Sequence, residues 1–374
     1  MTGTLRALGA AGHQCVIVSP FDPRVESAHD LSAALGPLGE PHLVAAIPAS
    51  IGSSIVRARR RGVPVSVARH TLDAVSAAVE RVLSGGAVDL VHAEQLQALA
   101  QCGPARRRSL PVVLRAQNVE SDLWRASGAS WPLLRGLVRR EAARLARYEG
   151  RAVREVTATV ALTAADAERL RALSGRRDGI HHVPAPFPDR LPPASSPLPG
   201  EPAVVVLAGN WRPNRDGASW FRRTAWPVVR ARCPGAVLHL FGSVRGGGGA
   251  PSIVVHESPL DSREAFAPGA ILAVPLRVAS GVRVKILEAW ARGLPVVATP
   301  QAAAGLDASD GGELLIAADG PGFAAAVERL HRDRAFARAS VEAGRALLRA
   351  RHDPAAVASA LVGIYAYAVD RPAG

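Results

Sequence analysis

Three ionisable side chains stand close together in RVKILEAWARGLPVVAT (residues 283–299): Arg283, Lys285 and Glu288. Lys285 is the only lysine in the chain; every other member of the 45 Lys+Arg is arginine. A compact ammonium on a flexible stem can reach between two phosphates as a point charge, where a planar guanidinium does not fit. Glu288, three residues on, shares the same helix face one turn deeper. A carboxylate there can accept both hydroxyls of a ribose joined to those phosphates. Phosphate cations with a ribose acceptor make a nucleotide-diphosphate site. The bland alternative is a solvated Lys–Glu pair on an exposed helix.

These residues need a strand, a loop and a helix start to position them. Ile271–Val274 is an apolar run of strand length, Pro275 ends it, and Val282–Arg292 has helical periodicity. Ser280 takes the N-cap position, where its hydroxyl accepts from first-turn amides, and Gly281 lets a ligand approach the backbone. Free amides and the positive end of the helix dipole then form an anion site. Arg283 and Lys285 in the first turn oppose that dipole, a local conflict that points to a bound anion.

The rest of the chain alternates strand and helix. Strand-like runs in the first half are Cys15–Ser19, Val88–His92, Val112–Ala116 and Val156–Leu162, with helical periodicity clearest over Trp131–Arg154 and a helix capped by Thr163. Pro184–Pro202 carries eight prolines in nineteen residues and reads as a linker, because proline lacks the donor that a helix or sheet interior needs. Beyond it come strand Ala203–Ala208, helix Gly217–Arg232, and strands Ala236–Phe241, Ile253–His256 and Ile271–Val274. Helix Val282–Arg292, strands Pro295–Ala298 and Glu313–Ile316 and three closing helices complete the chain. Such alternation implies an α/β protein whose parallel sheets are covered by helices on both faces. Two domains of this kind leave a cleft at the carboxyl ends of their strands, where ligands bind.

Composition narrows the partners. At 374 residues, 48% hydrophobic and 21% charged, the chain suits two folded domains. No apolar run reaches about 18 residues, so no membrane span is expected, and residues 1–20 lack the pattern of a signal peptide. Cys15, Cys102 and Cys233 are far apart, which fits neither a disulfide framework nor a zinc site and suits a reducing cytoplasm. The net charge is +13, but arginines are spread along the chain among acids and only 4% of residues are aromatic. That argues against nucleic acid as partner and for attraction to anionic ligands or to an anionic membrane face. His92 reads as structural, and His181 and His182, which lack partners at metal-ligand spacing, read as surface residues. Gly242–Gly249, GSVRGGGG, lacks a following Lys-Ser/Thr and a helix, so it reads as a flexible loop and not a phosphate loop. No D-x-D stands in a loop where it could hold a metal. Neither domain leads a strand into G-x-G-x-x-G, which disfavours a nicotinamide dehydrogenase.

The stretch PLRVASGVRVKILEAWARGLPVVATPQAAAGL (residues 275–306) resembles the donor-site signature of retaining glycosyltransferases of family 4, which have the GT-B fold. The resemblance is to a subgroup with S-G-x-R-x-K-x-x-E. AGNWRPNRDGASWFRRTAWPVV (Ala208–Val229) resembles the opening of their C-terminal domain, and VVLRAQNVESDLWR (Val112–Arg125) a strand and loop of their N-terminal domain. The resemblance implies two Rossmann-like doubly wound domains facing across a cleft. The acceptor-side domain would span residues 1–183, the linker 184–202 and the nucleotide-sugar-binding domain 203–351, with 352–374 packing back towards the first. The implied reaction moves a sugar from a nucleotide-diphosphate sugar to an acceptor hydroxyl with retention, in polysaccharide or glycoconjugate assembly. The acceptor would be a sugar, a lipid-linked molecule or another small molecule. The place implied is cytoplasmic, at the inner membrane face where peripheral contact is made.

The same resemblance implies roles. Glu288 binds the ribose. Ser280 stands where the family's first glutamate holds the donor sugar, so the amides of Gly281 and Val282 take those contacts. Arg283 and Lys285 carry the diphosphate, because positions that are often arginine and lysine in relatives are Asn210 and Asp216 here. Gly209 and Asn210 offer close backbone approach, and Ser258, Pro259 and Leu260 line the base. Gln117 stands where relatives often carry a histidine, and can hydrogen-bond a sugar hydroxyl. Preorganised cations and helix-end amides would stabilise the departing diphosphate, with no metal or cofactor. The family's first strand and Gly-rich acceptor loop have no counterpart, through a chain start placed too far downstream or a domain that has lost them. A missing central strand would expose its neighbours' edges. The rival readings are a non-catalytic or degenerate sugar-nucleotide binder and a nucleotide-sugar epimerase of the same fold.

Overall fold

All strand pairing among the described residues is parallel, as the strand–helix alternation requires. The structure, a computed structural model, describes residues 2–128, 134–209, 211–242, 251–259, 261–278 and 281–371. The chain divides into two compact units, Met1–Pro186 with Pro354–Gly374, and Phe187–Asp353.

The first unit holds β1 (Val16–Phe21), β2 (Glu40–Ala45), β3 (Val91–Glu94), β4 (Val112–Ala116), β5 (Ala158–Ala161) and β6 (Ile180–His182). Its sheet comes in two pieces, β1-β2 and β3-β4-β5-β6. Among the described residues β1 and β3 each pair on one side only. β2 and β6 were not legible as strands, and β3 lies at Val91–Glu94 instead of Val88–His92. The shift brings Glu94 into the strand. The long helix runs from Arg135 to Glu155, and the expected start at Trp131 falls outside the described residues. The closing helix Pro354–Val369 buries Leu361, Ile364 and Tyr365 with Val113, Ala158 and Val160 of β4 and β5.

The second unit holds β7 (Ala203–Leu207), β8 (Val237–Phe241), β9 (Ile253–His256), β10 (Ile271–Val274), β11 (Val296–Ala298) and β12 (Leu315–Ile316), in the order β12-β11-β10-β7-β8-β9. Alternate residues of β7 feed opposite cores: Val205 packs with Leu272, Phe266 and Trp290, whereas Val204 and Val206 pack with Phe221, Trp226 and Phe323. The proline-rich segment does not hang free. Phe187, Leu191 and Ala194 donate backbone bonds to His352, Ala291 and Phe266 at 2.8, 3.0 and 3.0 Å, so the amides between prolines dock it along this unit.

The helix expected at Gly217–Arg232 starts earlier and is interrupted. It runs as Arg212–Trp220, a π-helical turn Phe221–Ala225 and Trp226–Arg232. Pro227 has no N–H to give the preceding turn, and the ladder widens there.

Trp290 anchors the helix Val284–Arg292. Its ring is fully buried and its indole N–H donates to the Glu313 carbonyl at 2.9 Å. Gly344, in the helix Arg334–Arg351, sits directly on that ring, and a Cβ there would overlap it. We therefore expect Gly344→Ala to cost about 1–3 kcal/mol in urea denaturation by overpacking. Gly363→Ala, with open space around it, should be neutral or stabilising by up to about 1 kcal/mol.

Candidate functional site

Because β7, β8, β9 and β10 run parallel, their carboxyl ends share one edge of the second unit, and the loops that follow converge there. Gly209 after β7 and Gly242 after β8 have φ of +53° and +105°. A Cβ on Gly242 would lie 2.7 Å from the Gly209 nitrogen and 3.3 Å from Ser258 Oγ, so the three loops touch and only glycine fits. Backbone bonds from Ala208 to Phe241 (2.9 Å) and from Gly242 to His256 (3.0 Å) fix the contact. His256, at the end of β9, stacks on Phe241 with ring centroids 4.2 Å apart.

After β10 the chain reaches Gly281 at φ +70°. The helix then begins at Val284, not Val282, and Arg283 rather than Ser280 takes the N-cap position, without a side-chain cap bond. The reason is local: Val284 N–H turns back to the Val282 carbonyl at 3.1 Å, which keeps Val282 and Arg283 out of the helix. Arg283 is buried.

Lys285 is not paired with Glu288. Its Nζ donates to the Leu207 carbonyl and to Asn214 Oδ1, each at 3.0 Å. Burial, with the neighbouring Arg283 charge adding to it, lowers its pKa to about 8. Asn214 comes from the first turn of the helix Arg212–Trp220, which lies close on the end of β10 because Gly217 has no side chain: a Cβ there would be 2.5 Å from the Pro275 carbonyl. Glu288 Oε1 accepts from Ser262 Oγ at 2.6 Å and from Arg292 Nε at 2.9 Å, so the carboxylate is tied to the segment after β9.

Of the sequence-derived site residues, Gly209, Ser258, Gly281, Val282, Arg283, Lys285 and Glu288 lie on the loops and helix start at this edge. Asn210, Leu260 and Ser280 lie outside the described residues. Asn214 and Gly242 were missed. The Pro-Asn pair at the helix start was the available signal for Asn214, and nothing local marked Gly242 as a contact point. Trp211, next to the undescribed Asn210, is 44% exposed.

Gln117 belongs to the first unit, just after β4. Its side-chain amide donates to Glu94 Oε1, while Glu94 Oε2 meets His92 Nε2 at 3.0 Å and His92 Nδ1 meets the Tyr365 hydroxyl at 2.7 Å. Burial alone would raise the Glu94 carboxyl, but the His92 bond and the Arg115 charge hold it down at about 2. This chain is consistent only with an Nε2–H tautomer of His92 when neutral. Glu149, from the helix Arg135–Glu155, caps the helix Glu120–Ser127 by accepting from Glu120 N (2.9 Å) and Ser121 Oγ (2.7 Å), and so fixes the loop that carries Gln117. Among the described residues no group of three or more His, Cys, Asp or Glu is placed to hold a metal ion.

Residues 202–333, about a third of the chain, match the family model of glycosyl transferases group 1. Among solved structures the chain is similar to sucrose-phosphate synthase from Thermosynechococcus elongatus, at 16% identity and TM-score 0.70 over 98% of this chain and 91% of that one. It is similar to Anabaena HepE in complex with UDP and glucose, at 13% and 0.66 over 98% and 95%. A glycosyltransferase from Rickettsia africae matches at 10% and 0.62 over 99% and 94%. No curated protein sequence matches significantly. The fold is GT-B, with two Rossmann-like sheets, and together the matches support a glycosyltransferase of that class.

Lys285 is unique, so protein made with isotope-labelled lysine gives one side-chain signal to titrate by NMR. We expect a midpoint near pH 8. Asn214→Asp, which sets a carboxylate against the ammonium, should raise it towards or above the free-lysine value of about 10.4. A wild-type midpoint at the free value would contradict the geometry.

Proposed function

We propose that the chain transfers a sugar from a nucleotide-diphosphate sugar to an acceptor hydroxyl, with retention of configuration, in polysaccharide or glycoconjugate assembly. One observation carries the reading: the only lysine is held by two oxygens at the carboxyl ends of parallel strands, beside a buried arginine at the start of a helix. In that setting Arg283 and Lys285 bind the diphosphate, and the positive helix end with the amides near Gly281 and Val282 faces the donor sugar. As the glycosidic bond breaks, charge grows on the departing diphosphate. Cations fixed beforehand stabilise that charge without reorganising. The carboxylate of Glu288, steadied by Ser262 and Arg292, accepts from the ribose. Gly209, Asn210, Ser258 and Leu260 surround the nucleotide. Gln117, its amide turned to Glu94, hydrogen-bonds a sugar hydroxyl. HepE was solved with UDP-glucose, which makes that nucleotide sugar the first donor to test here.

Incubation with UDP-glucose and other nucleotide sugars, with and without sugar and lipid-linked acceptors, tests the reading. Release of nucleotide only when an acceptor is present supports transfer, whereas affinity without turnover across the panel supports a binding protein. Lys285→Ala should weaken donor binding about 10- to 100-fold, the loss of charge-assisted hydrogen bonds worth ~1.5–3 kcal/mol. Lys285→Arg should cost about tenfold, since the planar group cannot meet the two oxygens as a point donor. Glu288→Gln should raise KM for the donor more than it lowers kcat. Equal affinity of wild type and Lys285→Arg would remove the explanation for the single lysine.

The pH dependence has a definite sign. A bound diphosphate favours the ammonium and raises its pKa from about 8, so binding near that pH takes up protons. Donor affinity should fall as pH rises through 8, and calorimetry in buffers of different ionisation enthalpy should show the uptake. Lys285→Arg, charged throughout, should show neither effect.

A further inference from the structure

Two histidines that the proposed chemistry does not use are hydrogen-bonded to each other beside the loops of the candidate site. His239 Nδ1 and His256 Nε2 stand 2.9 Å apart, and His239 Nε2 lies 2.8 Å from the Pro199 carbonyl. A carbonyl oxygen only accepts, so Nε2 of His239 carries a proton. Neutral His239 then has a bare Nδ1, and His256 donates to it from its own Nε2. The order of donors is fixed from one end: His256 gives to His239, and His239 gives to Pro199.

The pair stands at the edge of the sheet. Among the described residues β9 pairs only with β8, and its Val254 and Val255 are 37% and 40% exposed, so burial does little to hold its carboxyl end. His256 is the last residue of that strand. Its ring lies on Phe241 at 8° from parallel, and its carbonyl accepts from Gly242 N–H at 3.0 Å. Gly242 in turn touches Gly209 and Ser258. His239, by contrast, is fully buried on β8 and is braced by the proline-rich segment through Pro199. One hydrogen bond thus ties an exposed strand end to a packed interior, and the loops that meet at Gly242 follow that strand end.

The geometry makes this bond sensitive to protons. One proton can be added at His256 Nδ1 without loss of the bond. A second has no place except His239 Nδ1, where N–H would face N–H. Burial lowers the pKa of both rings; at His256 the charge of His239 adds to it, and at His239 the Pro199 bond opposes it. No carboxylate or guanidinium among the described residues acts on either ring. Glu257, which follows His256, and Glu201, two residues after Pro199, are both exposed. An opened pair, with each ring near the ordinary histidine value of about 6.5, takes up more protons than the closed one. Closure is therefore fully favoured above that pH and is lost as pH falls below it.

We propose that His239 and His256 are positioning residues: their bond holds the end of β9, and with it Gly242 and Ser258, in the arrangement that receives the nucleotide, and acid releases it. The role rests on the reading of this edge as the donor site.

Amide hydrogen exchange of the ligand-free chain, corrected for the intrinsic rate, reads the clasp directly. The Gly242 N–H should open at least about tenfold more often at about pH 5 than at about pH 7.5 in wild type. His256→Gln should remove the difference, because glutamine sets an amide where Nε2 stood and can turn its oxygen to a protonated His239. Titration with UDP, ADP and GDP, following the tightest of the three, reads the reach to the site. Wild type and His256→Gln should agree within about threefold at about pH 7.5, and wild type should lose about tenfold more affinity by about pH 5. Comparing the two cancels protonation of the phosphate itself. His256→Ala, without bond or stack, should bind about tenfold more weakly at every pH. Equal Gly242 opening in wild type and His256→Gln at acid pH overturns the proposal. So do superimposable binding curves for the two when the exchange behaves as expected. Binding of none of the three nucleotides, with exchange as expected, overturns the donor-site reading and the role that rests on it, and leaves only the clasp.

Discussion

An ammonium drawn partly out of water is stable only where oxygens replace the water it has lost. Lys285 meets that condition with one backbone and one side-chain oxygen, Leu207 O and Asn214 Oδ1. Leu207 ends β7, Asn214 opens the next helix, and Lys285 opens the helix after β10, so one nitrogen ties three structural elements at the strand ends. An ammonium has three protons. Two are engaged among the described residues, and on the proposed reading the third is the one an incoming phosphate oxygen would take. A guanidinium spreads its donors over a rigid plane and cannot present two of them to these oxygens and another outward from a single point. In a chain that uses arginine everywhere else, that is a physical reason for the exception.

The backbone makes the second contribution. Parallel strands deliver all their carboxyl ends to one edge, but loops from adjacent strands can touch there only if side chains are removed. Gly242 against Gly209 and Ser258, and Gly217 against Pro275, are the places where this happens. Each glycine lets a neighbouring element come close enough for backbone groups, rather than side chains, to line the site. The first unit works differently. There Tyr365, His92, Glu94 and Gln117 form a chain of hydrogen bonds, and the low-dielectric surroundings make such a chain stiff when every member is satisfied.

What could be read from the sequence follows from the range of each interaction. β7, β8 and β10 were legible because buried parallel strands are short apolar runs. Lys285 and Glu288 were legible because their types and spacing sit within one turn. Asn214 was not, since its partner is 71 residues away and an asparagine after proline is equally a turn residue. The start of the Lys285 helix was misplaced by two residues because the tight turn at Val282 leaves no signature in residue type. β2, with its half-buried His42 and Pro41, lacks the unbroken apolar run that marked the others.

The helix Val284–Arg292 also acts as a ruler. Trp290, buried under Gly344, keeps it from rolling, while the helix rise sets the axial distance from Lys285 to Glu288 at about 4.5 Å, three residues at about 1.5 Å each. On the proposed reading, the charge assigned to phosphate and the charge assigned to vicinal hydroxyls are thus held at a constant offset. Lys285 is held under electrostatic tension. Burial and the Arg283 charge both oppose its ionisation, yet at neutral pH it remains mostly protonated with a pKa of about 8. On the proposed reading, a diphosphate lying against both cations would offset the second of those effects. Part of the site's affinity would then come from relief of repulsion between the cations rather than from new hydrogen bonds, and it would be strongest for a ligand with two adjacent negative charges. In that reading the same arrangement would favour the step in which those charges increase, because the cations would already stand where the leaving group becomes most negative.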